Sequence, residues 1–368
     1  MSVPESRAER LAAAVAEAGL ESVIVGDLVR PGDSGRDQMA DIAWLTGFGG
    51  SSGLAVIGPE VRGFVTDFRY TAMAAETVPD SFEVVDATAD MLAAVAGLLS
   101  GRVGIVAAKT SLETHRKLGE KLGEGVELVA GEDLLTDLRR VKDEAEIEAI
   151  AAASALTDEV YAWIEERGLA GRTERDVALA AEQRMRELGA EDPAFPSIVA
   201  TGANGALPHA TPGDRVIEAG EYVTIDMGAI LDGYCSDCTR TLVEGEPDPA
   251  HRQVYDLVLA AQTAALDAIR AGARGRAVDA VAREVITEGG HGERFGHGLG
   301  HGVGVEVHEP PRLSMRSDDT LLAGDVVTVE PGIYLPGEFG VRIEDLVVVT
   351  DDGLRNLSTL PKDLTLVD

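Results

Sequence analysis

A pair of neighbouring segments constrains this chain more than any other feature: Val223-Thr224-Ile225-Asp226-Met227-Gly228 and Gly233-Tyr234-Cys235-Ser236-Asp237-Cys238-Thr239-Arg240-Thr241. Both read as strands, and Ile230–Gly233 reads as the turn that joins them. Adjacent antiparallel strands bring opposed side chains to one face, so a hairpin here can set Asp226 beside Asp237. Two carboxylates that close repel each other unless a cation lies between them. Ordinary strand-end aspartates are the plainer alternative.

A second cluster is Phe295-Gly296-His297-Gly298-Leu299-Gly300-His301-Gly302-Val303-Gly304-Val305-Glu306-Val307-His308-Glu309-Pro310. Glycine costs chain entropy, so such a run implies backbone packed close to something. Imidazole is the commonest protein metal ligand and titrates near neutral pH. A flexible His/Gly loop is the alternative. Two further carboxylates follow. Glu330 closes the apolar strand Val326–Val329, and Glu344 sits in Gly340-Val341-Arg342-Ile343-Glu344-Asp345, ahead of the strand Leu346–Val349. A carboxylate buried in such surroundings needs a counter-charge.

The 368 residues suffice for two domains. The longest charge-free run, Pro193–Gly213, is broken by prolines and glycines, so no membrane helix is expected. The early charges Glu5, Arg7, Glu9 and Arg10 do not suit a signal peptide, which implies a cytoplasmic protein. The chain has 64 Asp plus Glu against 32 Lys plus Arg, a formal net charge of −32. This argues against nucleic acid, which requires a basic stripe. A surface suited to a high-salt cytoplasm is the reading preferred over recruitment of a basic partner. Cys235 and Cys238 form a C-x-x-C pair, but no second pair exists to complete a structural zinc site. Asp237 lies between them in a presumed strand, where residues three apart face opposite sides, so neither disulfide nor zinc is expected.

The first part of the chain alternates strands with helices, which makes it α/β. Helices are expected at Arg7–Ala18, Met91–Leu99 and Leu112–Leu122, and strands at Ser22–Val25, Leu54–Ile57, Gly63–Thr66, Val103–Val106 and Val126–Val129. The charged segment Arg139–Glu144 is read as opening a long helix to about Arg167, which puts the boundary between domains 1–138 and 139–368. Thr173 reads as the N-cap of a helix to Leu188. Strands and glycine-rich turns follow, broken by helices at Pro249–Ala271 and Val278–Thr287, so the chain as a whole is α+β.

Taken together, Asp226, Asp237, His301, Glu330 and Glu344 resemble the ligand pattern of the pita-bread metallopeptidases, which include methionine aminopeptidase, aminopeptidase P and prolidase. The first domain is similar to the creatinase/prolidase N-terminal domain of the proline-specific branch, through Trp44-Leu45-Thr46-Gly47-Phe48 and Thr66-Asp67-Phe68-Arg69-Tyr70. Methionine aminopeptidases lack that domain, and creatinase lacks the ligands. The resemblance implies two divalent ions, with Asp226 on one, His301 and Glu330 on the other, and Asp237 and Glu344 bridging. An oxygen-rich set suits Mn²⁺ or Co²⁺. It also implies that Glu330 shuttles a proton, that His209 and His308 contact substrate, and that His297 lies near the leaving group. Arg342 would fix hydrogen bonds, or simply pair with a strand carboxylate. His115, His251 and His291 fall outside the motifs.

The implied partner is a peptide with proline at its second position. Arg312, after His308-Glu309-Pro310-Pro311, resembles an arginine that some prolidases use to grip a dipeptide's carboxylate. An Xaa-Pro dipeptidase is therefore preferred, with aminopeptidase P acting on longer peptides next. A non-peptide amidohydrolase such as ectoine hydrolase and a non-enzymatic binding protein are the other readings. Prolidase-like relatives imply a homodimer.

Overall fold

The computed structural model describes residues 6–364 except Asp33 and Glu132, with the backbone of Leu366 and Val367. The chain divides into two compact units, residues 1–139 and 140–368. In the first, a six-stranded mixed sheet runs in the order Glu83–Asp86, Arg62–Thr66, Leu54–Ile57, Ser22–Val25, Arg102–Val106, Glu127–Gly131. Parallel neighbours need crossovers, and the helices Thr71–Thr77 and Leu112–Gly119 lie in two of them. Leu112–Gly119 starts where the Ser111 hydroxyl accepts the Thr114 N–H at 3.0 Å. No described helix is long and apolar enough to cross a membrane.

In the second unit, two pairs of helices each back a sheet. Helices Glu144–Glu165 and Glu174–Glu187 bury Val160, Ile164, Val177 and Ala181 against Val223, Ile225 and Met227 of the central strand Tyr222–Met227. Helices Pro249–Ala268 and Gly275–Glu288 bury Val258, Ala265, Val278 and Ile286 against Val327, Val329 and Val347 of a five-stranded sheet. Strand side chains alternate in direction. With Val223, Ile225 and Met227 committed to the helices, Thr224 and Asp226 must point the other way. The same parity puts Thr328 and Glu330 opposite Val327 and Val329.

Two local expectations need correction. The long helix does not open at Arg139. Helix Leu134–Arg140 ends first, Val141 bridges to Asp325, and the next helix begins at Glu144. Its cap is reciprocal: Asp143 accepts the Glu146 N–H and Glu146 accepts the Asp143 N–H, both at 3.0 Å. The strand expected over Gly233–Thr241 is also broken, because Ser236 and Asp237 lie between the strands Tyr234–Cys235 and Cys238–Glu244. Ala229–Leu231 is itself a strand, so the turn narrows to Asp232 (φ 49°) and Gly233 (φ 84°).

Candidate active site

A cleft of about 560 Å³ in the second unit is lined by His209, Asp226, Asp237, His297, His301, His308, Arg312, Glu330, Arg342 and Glu344, with Phe195, Pro196 and Ile198 as apolar wall. All ten residues singled out from the sequence meet there. In the register of the central hairpin Asp226 lies opposite Thr239, not Asp237. The break at Ser236–Asp237 is what turns the second aspartate inward. Oxygens of Asp226, Asp237 and Glu344 lie within 4.8 Å of one another. His301, on the short strand Gly300–Gly302, places Nε2 3.6 Å from Asp237 Oδ2 and 3.4 Å from Glu330 Oε1.

The glycines around His301 reflect close backbone packing. A methyl group at Gly300 would strike the Thr328 carbonyl, and one at Gly302 the Pro310 carbonyl. The His/Gly run is therefore a strand pressed between its neighbours. The Thr328 hydroxyl accepts the His301 N–H at 3.1 Å and donates to Glu330 Oε1 at 3.3 Å.

The electrostatics are those of crowded buried anions. Burial pushes the Asp237 carboxyl well above its ordinary range, and Glu344, Asp226 and Glu330 push it further. Burial and then Glu330 and Asp226 do the same to Glu344. Burial also raises Asp226, with Arg342 opposing. Glu330 is the exception: burial acts to raise it, but His301, His297 and Arg342 together hold it at about 2. Asp226 Oδ1 and Glu344 Oε1 are buried and accept no hydrogen bond among the described residues. Such oxygens need a cation or an ordered donor. Clustered carboxylates with free lone pairs and an imidazole at their edge fit divalent ions of the hard, oxygen-preferring kind.

Arg342 organises one wall. Its Nη2 donates to Asp226 Oδ2 at 2.6 Å, Nη1 to the Tyr334 hydroxyl at 2.7 Å and to the Pro208 carbonyl at 3.2 Å, and Nε to the Thr239 hydroxyl at 3.1 Å. Thr239 passes its own proton to Glu344 Oε2 at 2.7 Å. Tyr334 lies 2.9 Å from His297 Nε2, and His297 Nδ1 lies 2.8 Å from the Gly298 carbonyl. That carbonyl can only accept, so the ring proton sits on Nδ1 and Tyr334 donates to Nε2. Burial keeps His297 neutral by lowering its pKa. Tyr334 and Thr239 escaped the sequence reading. Thr239 lies inside a quoted motif, where pairing opposite Asp226 is the available signal, and Tyr334 lies four residues beyond Glu330 on the strand Gly332–Leu335.

The His308 ring stands 4.4 Å from that of His301. Partial burial, then His301 and Arg312, hold its pKa down to about 4, so it is neutral at pH 7. His209 and the Arg312 guanidinium make no hydrogen bond among the described residues. Cys235 donates to the Val305 carbonyl and Cys238 to that of Glu344. Burial pushes the Cys238 thiol up, which keeps it from the thiolate form a zinc site requires.

Helix-backed sheets around a buried carboxylate cluster make a frame suited to divalent metal ions, and the family matches make it that of a metal-dependent peptidase. The family model for metallopeptidase family M24 matches residues 147–351, and that for the creatinase/prolidase N-terminal domain matches residues 7–141. The Xaa-Pro dipeptidase of Pyrococcus furiosus is 44% identical over 233 residues, 63% of this chain and 67% of that one. Among solved structures, the X-Pro aminopeptidase of Thermotoga maritima has a TM-score of 0.89 at 37% identity, covering 98% of this chain and 100% of its own. The Xaa-Pro dipeptidase of Bacillus anthracis has a TM-score of 0.90 at 35% identity, with 98% and 99% covered. The chain belongs to metallopeptidase family M24, and it carries the creatinase/prolidase N-terminal domain ahead of a pita-bread catalytic domain.

Proposed function

We propose that this enzyme hydrolyses the bond before proline in Xaa-Pro dipeptides, using two divalent ions held by Asp226, Asp237, His301, Glu330 and Glu344. Residues 1–138 are taken as the N-terminal domain and 139–368 as the catalytic one. Mn²⁺ or Co²⁺ matches the donor set. The observation that carries the metal assignment is the pair of buried, unsatisfied oxygens on Asp226 and Glu344 inside the carboxylate cluster. Bound there, divalent cations lower the pKa of a water and polarise a carbonyl oxygen.

The protein's own groups do the rest. Glu330, on the cleft wall beside His301, is the group that would accept a proton from the attacking water and deliver it to the departing prolyl nitrogen. His209 and neutral His308 face the cleft as donors toward the oxygen of the scissile carbonyl. His297 has both ring nitrogens engaged, so its part is to hold Tyr334 and, through it, Arg342. Phe195, Pro196 and Ile198 offer apolar surface for a pyrrolidine ring.

Arg312 favours the dipeptide. It lines the cleft without a carboxylate partner among the described residues, and a dipeptide's C-terminus would supply one. Similarity to the Thermotoga aminopeptidase keeps longer Xaa-Pro peptides as the second reading. Comparing an Xaa-Pro dipeptide with Xaa-Pro-Yaa tripeptides, in the native enzyme and in Arg312→Ala, decides between them. Faster tripeptide cleavage with no effect of Arg312→Ala overturns the dipeptidase reading. A cytoplasmic homodimer working at high salt completes the proposal. The charge of −32 supports its high-salt part.

A further inference from the structure

His209 is exposed on the cleft wall and has no hydrogen bond of its own among the described residues. Its position is therefore inherited from the backbone of residues 202–213. This segment leaves the strand Ile198–Thr201, makes the short turn Gly202–Gly205, reaches the cleft at Pro208 and His209, and returns through Gly213. Arg342 touches its tip at the Pro208 carbonyl. Both of its ends converge on a single carboxylate.

That carboxylate is Glu174, the first residue of the helix Glu174–Glu187 and 1% exposed. Its Oε1 accepts the Thr201 N–H at 2.9 Å. Its Oε2 accepts the Gly213 N–H at 2.9 Å and the Asn204 side-chain amide at 2.8 Å. Asn204 in turn donates to the Thr211 carbonyl at 3.3 Å. Backbone bonds tie the same helix end to the returning segment, Glu174 N–H to the Arg215 carbonyl at 3.0 Å and Arg175 N–H to that of Gly213 at 3.1 Å. A carboxylate at a helix N-terminus is favoured by the helix dipole, and three donors to one buried anion make strong, directional bonds.

We propose that Glu174 is a positioning residue for the reaction: its buried carboxylate clasps both ends of segment 202–213 and so holds His209 toward the scissile bond. This rests on the reading of His209 as a group that contacts substrate. A glutamine at position 174 has the same shape but only one acceptor oxygen. Its NH₂ must face either the Thr201 N–H or the Gly213 N–H and Asn204 amide, donor against donor in both orientations. The clasp opens at one end while the helix remains.

The test uses the metal-loaded full chain and compares Glu174→Gln, His209→Ala and the double variant on an Xaa-Pro dipeptide, alongside amide hydrogen exchange. The expected results are faster exchange confined to residues 201–213 and a loss in kcat/KM of about 10²-fold, the scale set by a displacement near 1 Å. The division of that loss between kcat and KM should match His209→Ala, and adding Glu174→Gln to His209→Ala should change kcat/KM by less than about twofold. Losses that multiply in the double variant, or unaltered exchange over 201–213, overturn the proposal. If His209→Ala is as active as the native enzyme, the reading of His209 falls and the catalytic part of the proposal with it, whereas the exchange data still report on the clasp. Should Glu174→Gln not fold, Asn204→Ala removes one of the three donors and is held to the same non-additivity with His209→Ala.

Discussion

Arg342 and Asp226, 116 positions apart in the chain, are joined by a 2.6 Å hydrogen bond from Nη2 to Oδ2. Arg342 is 3% exposed and is the cation nearest the carboxylate cluster. Removing one member of a buried ion pair costs about 3–5 kcal/mol, largely because the other is left uncompensated. Arg342→Met should therefore destabilise the metal-free protein by about that much. Combining it with Asp226→Asn should restore most of the stability and none of the activity. Urea melts of the four metal-free proteins check this. A double variant no more stable than Arg342→Met would show that the loss comes from Tyr334, Thr239 and Pro208 instead.

Thr239 is the only described donor to Glu344 Oε2, at 2.7 Å, while Oε1 has none. Thr239→Val keeps the shape and removes the hydroxyl, freeing the Glu344 carboxylate to rotate. Groups that orient a ligand carboxylate are worth about 10–100-fold in metal affinity. Calorimetric titration with Mn²⁺ should show a fall of that order. Affinity unchanged in Thr239→Val would mean that backbone alone holds Glu344.

Withdrawing divalent ions should lower the melting temperature, because three acidic groups with oxygens inside 4.8 Å are then left to repel one another. A ligand present at about 1,000 times its Kd contributes about 4 kcal/mol to the folded state. Scanning calorimetry before and after chelation, and again after adding Mn²⁺ or Co²⁺, measures the difference. A melting temperature indifferent to the ions would sink the metal assignment.

The regular elements were legible because their pattern is local. Val326–Val329 and Leu54–Ile57 announce themselves as apolar runs, and Thr173 as a cap whose hydroxyl accepts the Asp176 N–H. The irregular backbone was not. The break at Ser236–Asp237 carries no glycine or proline to mark it, so the segment looks like one strand although the chain leaves the ladder there. The charge run Arg139–Glu144 hid a helix end and a new cap for the same reason: propensity averages over residues that capping treats individually. Convergence of the ten cleft residues could not be derived from spacing, since the partners lie up to 116 positions apart. The resemblance supplied that grouping. Tyr334, Thr239 and Glu174 stayed hidden because what distinguishes each is its set of partners.

The surplus of acidic side chains predicts a dependence on salt. With a net charge of −32, self-repulsion acts over about 30 Å at 0.01 M salt but only about 3 Å at 1 M. The melting temperature should rise with KCl, most steeply at the low end where the screening length changes fastest. A flat profile from millimolar to molar KCl would assign the charge no part in stability.

The N-terminal unit has its own buried charge cluster, and its pH dependence has a definite sign. Asp41 accepts hydrogen bonds from Arg139 and Lys109, and Lys109 also pairs with Asp133 at 2.7 Å. Burial acts to raise the Asp41 pKa, but Arg139 and Lys109 outweigh it and hold the group below 3.8. Its contribution to stability is therefore complete above pH 3.8 and disappears as the pH falls through the lower, folded value. Lys109 behaves oppositely. Burial acts to lower it, Asp41 and Asp133 prevail, and its pKa rises above 10.5. Its contribution is complete below that value and disappears as the pH rises through the folded one. Asp41→Asn leaves Arg139, 5% exposed, without this carboxylate, so a loss of about 3–5 kcal/mol is expected near neutrality. The gap between native and variant should stay constant across the middle of the pH range, close at the acid end, and at the alkaline end narrow only by the share that Lys109 supplies, because Arg139 keeps its charge there. Urea melts followed by tryptophan fluorescence in a Trp163→Phe background, which leaves only Trp44, buried in this unit beneath the Arg7 guanidinium, read it directly. A gap that shows no decline as the pH falls below 3.8 until the protein unfolds would place the effect in packing around position 41 and not in its charge.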